Sequence, residues 1–135
     1  MQDTHLAALS PDLQMLYAAA VVARQSSYSP YSHFAVGAAV RTAQGKIYGG
    51  CNVENASYGL CLCGERNAIF AAVCAGEREL ETICVVADTE KPVSPCGACR
   101  QVMSEFKINK ILLGNMAGDI KICSLEELLP YSFDL

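Results

Sequence analysis

Positive charge is scarce in this chain: ten Lys and Arg stand against 14 Asp and Glu, for a formal net charge of -4. The basic residues are scattered and form no patch, which disfavours nucleic acid as a partner, because a polyanion binder needs a basic stripe or channel. Charge of either sign is sparse, at 18% of residues, while hydrophobic residues reach 52%. So apolar a composition predicts that part of the surface is covered by other subunits. No uninterrupted apolar run is long enough to span a bilayer, so no membrane association is expected. The opening Met1-Gln2-Asp3-Thr4-His5 has neither a basic n-region nor an apolar h-region, which leads us to expect a cytoplasmic protein. Histidine is limited to His5 and His33, and neither has a spaced partner that would make it a metal ligand.

What remains reads as alternating helices and strands. Ser10-Pro11 starts a helix that runs to about Gln25, with Leu13, Leu16, Tyr17, Ala20 and Val21 at helical spacing. Phe34 to Val40 and Lys46 to Cys51 form a predicted hairpin around Gln44-Gly45. A helix follows over Gly64 to Val73, stopped by Gly76, then a strand over Thr82 to Ala87 and a helix from Cys96 to Phe106. Two more strands, Ile111 to Leu113 and Ile120 to Ile122, precede a short helix in which Ser124 and Glu127 suit a capping box. Five strands interleaved with four helices point to one sheet with helices on both faces. No linker, repeat or low-complexity segment interrupts residues 1–135, which are read as a single domain.

Cysteine is plentiful, with eight in the chain. They would suit a disulfide framework in a secreted protein, but the absent signal and the C-x-x-C spacing of Cys96 and Cys99 favour thiolate chemistry in a reducing compartment. With Cys63 upstream, three thiols can hold one zinc ion and leave its fourth position open, the arrangement of a catalytic rather than a structural zinc. Glu65, two residues beyond Cys63, adds a base. Cys63 and the Cys96/Cys99 pair fall at two helix starts, where unsatisfied N–H groups and the dipole stabilise thiolates. Three thiolates on Zn²⁺ sum to -1, and either Arg66 or Arg100 can offset that charge; the i, i+3 spacing from Cys63 favours Arg66. Cys61 competes with Cys63, at the cost of the Cys-x-Glu spacing. A redox role for Cys96 and Cys99 is a further alternative. Cys51, Cys74, Cys84 and Cys123 read as small buried hydrophobes.

With these residues assembled, the chain resembles the small, zinc-dependent, homotetrameric cytidine deaminases. Zinc nucleobase deaminases share this ligand spacing and its glutamate. The matching segments are Tyr31 to Ala39, Gly50 to Tyr58, Cys63-Gly64-Glu65-Arg66, Ser94 to Gln101 and Glu127-Leu128-Leu129-Pro130. The resemblance implies an α/β fold, a three-layer α/β/α sandwich with a mixed five-stranded sheet. It implies one zinc per subunit on Cys63, Cys96 and Cys99, with Arg66 beside them. The implied reaction converts cytidine and 2′-deoxycytidine to uridine and 2′-deoxyuridine in pyrimidine salvage: water activated at zinc attacks C4, and Glu65 shuttles protons. Asn52 and Glu54 match the pair that bonds the ribose hydroxyl, and Phe34 matches the aromatic packed on the nucleoside. The Gly64 N–H and the Ser94 carbonyl match groups that hold the base. Ala56 and Tyr58 match positions that reach a neighbour's sugar pocket, and Phe133 matches an aromatic stacking on the base from another subunit. Without the resemblance, Phe34 and Phe133 would read as core aromatics. Gly64 departs from the family's usual alanine, so Gly64→Ala is expected to retain activity and raise stability slightly.

Three other readings compete. A polynucleotide-editing deaminase would need a basic channel, which this acidic chain lacks. A structural zinc module would need a fourth ligand and has no use for Glu65. A deaminase of a nucleoside antibiotic would share the zinc motifs, and the Asn52-Val53-Glu54 run favours ordinary nucleosides.

Overall fold

The β-branched stretch Thr82 to Ala87 is buried at every position, as suits a strand covered on both faces. The computed structural model, which describes residues 1–135, places it near the middle of a six-stranded sheet. The strands are β1 (Gln2–His5), β2 (Val36–Thr42), β3 (Ile47–Cys51), β4 (Leu80–Ala87), β5 (Lys110–Asn115) and β6 (Asp119–Cys123), in the order β1-β6-β5-β4-β2-β3. Only β4 and β5 run parallel; every other pair is antiparallel, so the sheet is mixed.

The alternation of side chains along each strand builds two cores. Val40, Ile83, Val85, Ile111 and Leu113 face α2 (Gly64–Cys74) and α3 (Gly97–Glu105), packing on Ile69 and Met103. Ala39, Cys84, Val86 and Leu112 face the opposite side and pack on Leu16, Tyr17 and Ala20 of α1 (Pro11–Arg24). The result is the three-layer α/β/α sandwich expected from the sequence. The short α4 (Leu125–Leu128) joins the α2/α3 side through Leu128, and its start carries both hydrogen bonds of the Ser124/Glu127 capping box.

The sheet has six strands, which corrects the five expected. The missed strand is β1, whose residues are mostly exposed and polar, so no apolar alternation marks it. Backbone pairing to β6, from Gln2 opposite Ile122 to His5 opposite Asp119, makes it a strand, with the Lys121 ammonium 2.7 Å from the Asp3 carboxylate. A second correction is local: β2 begins at Val36, which leaves Phe34 outside the ladder.

Two glycines set how closely the helices approach the sheet. A Cβ on Gly37 would lie 2.1 Å from the Ala20 carbonyl oxygen of α1, and one on Gly50 would lie 2.2 Å from the Ala68 nitrogen of α2. Their absence of a side chain lets both helices sit directly on β2 and β3. That packing brings the start of α2 beside the end of β3, where Asn67 of α2 donates to the Cys51 carbonyl at 2.8 Å.

Candidate active site

Three thiols meet where α2 and α3 begin. Cys63 is the N-cap of α2, Cys96 is the N-cap of α3, and Cys99 lies in the first turn of α3. Their sulfur atoms all lie within 4.8 Å of one another, and those of Cys63 and Cys96 are 3.7 Å apart. Zinc with tetrahedral bonds of about 2.3 Å separates its sulfur ligands by about 3.8 Å, so the donor set fits that ion. Cys61 is not part of the cluster. Its sulfur turns back on its own loop, where it accepts from the Asn55 N–H at 3.3 Å and donates to the Asn55 carbonyl.

The thiols divide their protons unequally. A hydrogen bond from Cys99, helped by Arg66 and Cys96, lowers the Cys63 pKa to about 5 against the effect of burial. Cys99 is pushed up because its proton is held in that bond and because the group is buried. Arg66 donates from Nη2 to the Cys63 sulfur at 3.4 Å, while its Nε–H is buried without a partner. The guanidinium therefore lies against the Cys63 sulfur, one helical turn along α2. Arg100 contributes none of its donors to the sulfurs and bonds Ser94, Pro95 and Leu128 instead.

Glu65 is only 4% exposed. Burial pushes its carboxyl up to about 6, with the Cys63 thiolate adding to the shift. A carboxyl in this range can both take and give a proton near neutral pH.

Cys63, Gly64, Glu65, Ser94 and Cys96 open onto a cavity of about 260 Å³, whose wall also includes Phe34, Asn52 and Glu54. Each of the last three is held by the chain itself. The Asn52 amide donates from Nδ2 to the Phe34 carbonyl at 2.7 Å, while its Oδ1 accepts from the Val36 N–H at 2.9 Å and from the Ser27 hydroxyl. One amide hydrogen is left for a ligand. Glu54 accepts from the Tyr31 and Ser32 N–H groups, at 3.0 and 3.1 Å, and from the Ser32 hydroxyl. The Ser32 hydroxyl and these N–H groups hold its carboxyl below the usual carboxylate range, so it is an anionic acceptor at neutral pH. Neither Lys nor Arg lines the cavity.

Three residues predicted for the site lie elsewhere on this chain. Ala56 is exposed on the loop after β3. Tyr58 is 74% exposed, with its ring edge-on to Tyr31 at 6.0 Å. Phe133 is 70% exposed, and its backbone carbonyl accepts from Gln101 of α3 at 3.2 Å. Conversely, sequence reasoning gave no role to Ser32, which lines the cavity and fixes Glu54, or to Ser27 and Arg24. Arg24 donates from Nε to the Ala35 carbonyl at 3.0 Å, anchoring the turn that carries Phe34. Ser32 falls within the Tyr31 to Ala39 segment that carried the resemblance, and this was the available signal.

Residues 10–115 match the family described as the cytidine and deoxycytidylate deaminase zinc-binding region, which places the chain among the zinc-site deaminases. The cytidine deaminase of Halalkalibacterium halodurans is 52% identical over 124 residues, which is 90% of this chain and 94% of that protein. That of Sporosarcina psychrophila is 48% identical, again over 90% of this chain and 91% of its relative. The crystal structure of the Burkholderia pseudomallei cytidine deaminase superposes with a TM-score of 0.87 at 50% identity, covering 93% of this chain and all of the other. The chain belongs to the cytidine deaminase family.

Proposed function

We propose that the protein hydrolyses cytidine and 2′-deoxycytidine to uridine and 2′-deoxyuridine, with release of ammonia, in pyrimidine salvage. The observation that carries this reading is one cavity onto which the three-sulfur cluster opens through Cys63 and Cys96, beside the buried Glu65 and the Asn52/Glu54 pair. A zinc ion held by Cys63, Cys96 and Cys99 supplies Lewis-acid activation of water. The chain's own groups do the rest. Glu65 takes a proton from the attacking water and delivers it to the ring nitrogen N3. It then passes the second water proton to the amino group as the C4–N4 bond breaks, so the water oxygen becomes O4 of the product. The Gly64 N–H, an unpaired donor at a helix start, and the Ser94 carbonyl hold the base. Glu54 and the spare Asn52 hydrogen bond a ribose hydroxyl, and Phe34 packs on the nucleoside.

Charge selects a free nucleoside. Two carboxyl groups and neither Lys nor Arg line the cavity, so a phosphate would meet repulsion with no cationic side chain to offset it. Assembly as a cytoplasmic homotetramer, one domain and one zinc per subunit, accounts for Ala56, Tyr58 and Phe133, which project outward and would complete neighbouring cavities. Large exposed apolar side chains, including Val22, Leu60 and Phe70, favour such burial. No helix is long and apolar enough to cross a membrane.

The test is cytidine loss followed by ultraviolet absorbance, with zinc measured on the same samples. Cys63→Ser is expected to lose turnover and zinc together, and Cys61→Ser to keep both. Full activity and full zinc in Cys63→Ser would overturn the reading.

A further inference from the structure

The segment that enters α3 has little of its own to hold it in place. Pro92 and Pro95 carry no N–H, and the Val93 N–H reaches the Gly114 carbonyl only at 3.3 Å. Yet this segment presents Ser94 and Cys96 to the cavity. Arg100 supplies what the backbone lacks. Its Nε donates to the Pro95 carbonyl at 2.9 Å, its Nη2 to the Ser94 hydroxyl at 2.8 Å and its Nη1 to the Leu128 carbonyl at 2.7 Å. Leu128 is the last residue of α4, where unpaired carbonyls favour a cation, and its side chain is buried in the core. The Arg100 backbone N–H bonds the Cys96 carbonyl at 3.1 Å, closing the first turn of α3. One residue thus ties both sides of the Ser94-Pro95-Cys96 segment to a fixed element.

We infer that Arg100 is a positioning residue, a splint between α4 and the segment that carries the Ser94 carbonyl and the Cys96 thiolate. The planar guanidinium reaches three acceptors in fixed directions, a task that lysine, a single point charge on a flexible stem, cannot perform. Removing the splint loosens a metal ligand and a base-holding carbonyl together. The second of these effects rests on the cavity being a nucleoside site, whereas the first does not.

The test uses the zinc-loaded protein and its Arg100→Lys and Arg100→Met variants. Zinc release to the chromogenic chelator 4-(2-pyridylazo)resorcinol is timed, and KM and kcat for cytidine are measured separately. We expect release roughly tenfold faster, and KM roughly tenfold higher with a smaller change in kcat, in both variants. Arg100→Lys keeps charge and bulk, so it decides the matter if Arg100→Met does not fold. Release and KM both unchanged in Arg100→Lys would overturn the inference. If the parent protein does not deaminate cytidine, the proposed function fails, and the release rate alone still decides the role of Arg100.

Discussion

Glu65 and Glu54 line the same cavity with opposite shifts, which assigns them different work. Burial raises Glu65 toward neutrality and suits it to carry protons, whereas hydrogen bonds from Ser32 and Tyr31 keep Glu54 an anionic acceptor. Glu65→Gln, which removes the titrating group at nearly constant shape, should lower kcat by roughly 10²- to 10⁴-fold while zinc content and melting temperature stay at parental values. Unchanged turnover would remove Glu65 from the mechanism. At Gly64 an added Cβ would sit 3.3 Å from the Val36 carbonyl oxygen and 3.4 Å from the Asn52 nitrogen, a tight contact that falls short of a clash. Gly64→Ala should therefore keep its activity, with stability moved by no more than about 1 kcal/mol in a urea melt, as entropy gained and contact strain offset each other. The Cys-x-Glu and C-x-x-C spacings were legible because they lie within single turns of chain. The roles of Ser27 and Ser32 were not, because the amide and carboxylate they fix lie more than 20 residues away in sequence.

Two helix starts facing each other across one end of a sheet create the site, and glycines on the sheet permit it. Gly37 and Gly50 allow α1 and α2 to lie on β2 and β3 with backbone against backbone. Gly37→Ala and Gly50→Ala each force a methyl group to within 2.2 Å of helix backbone atoms, so each should cost about 3 kcal/mol or more in a denaturant melt. A loss below that of Gly64→Ala would show that the helices can back away freely. The helices themselves were readable from their stop and start chemistry: Gly76, with φ of 94°, ends α2 with the Gly76 N–H on Val73 and the Glu77 N–H on Ala72. β1 escaped because an exposed edge strand needs only backbone partners, and Phe34 was placed in β2 because an aromatic beside an apolar run looks the same whether it continues the ladder or turns out of it.

Across the whole molecule, the sequence's high apolar content and the outward-facing Tyr58 and Phe133 are the observations behind the proposed assembly, in which neighbouring subunits finish each cavity. It implies complementation. In the proposed assembly a Glu65→Gln chain lacks its proton carrier and a Phe133→Ala chain lacks its stacking ring, so both homo-oligomers should be impaired. Refolded together, they should regain activity at cavities that pair an intact Glu65 with an intact Phe133 from another subunit. Activity of the mixture equal to the average of its parts would mean that each subunit works alone. The charge of the cavity, two carboxyl groups without a Lys or Arg, also belongs to this scale, because the proposed choice of substrate rests on it. The most direct measurement is kcat/KM for cytidine, 2′-deoxycytidine, cytidine monophosphate and a cytosine oligonucleotide, on protein carrying one zinc per chain. Both nucleosides should turn over, with the monophosphate and the oligonucleotide slower by about a hundredfold or more, the effect of a few kcal/mol of like-charge repulsion. Fastest turnover of a phosphorylated substrate, or full activity in protein stripped of zinc, would contradict the account.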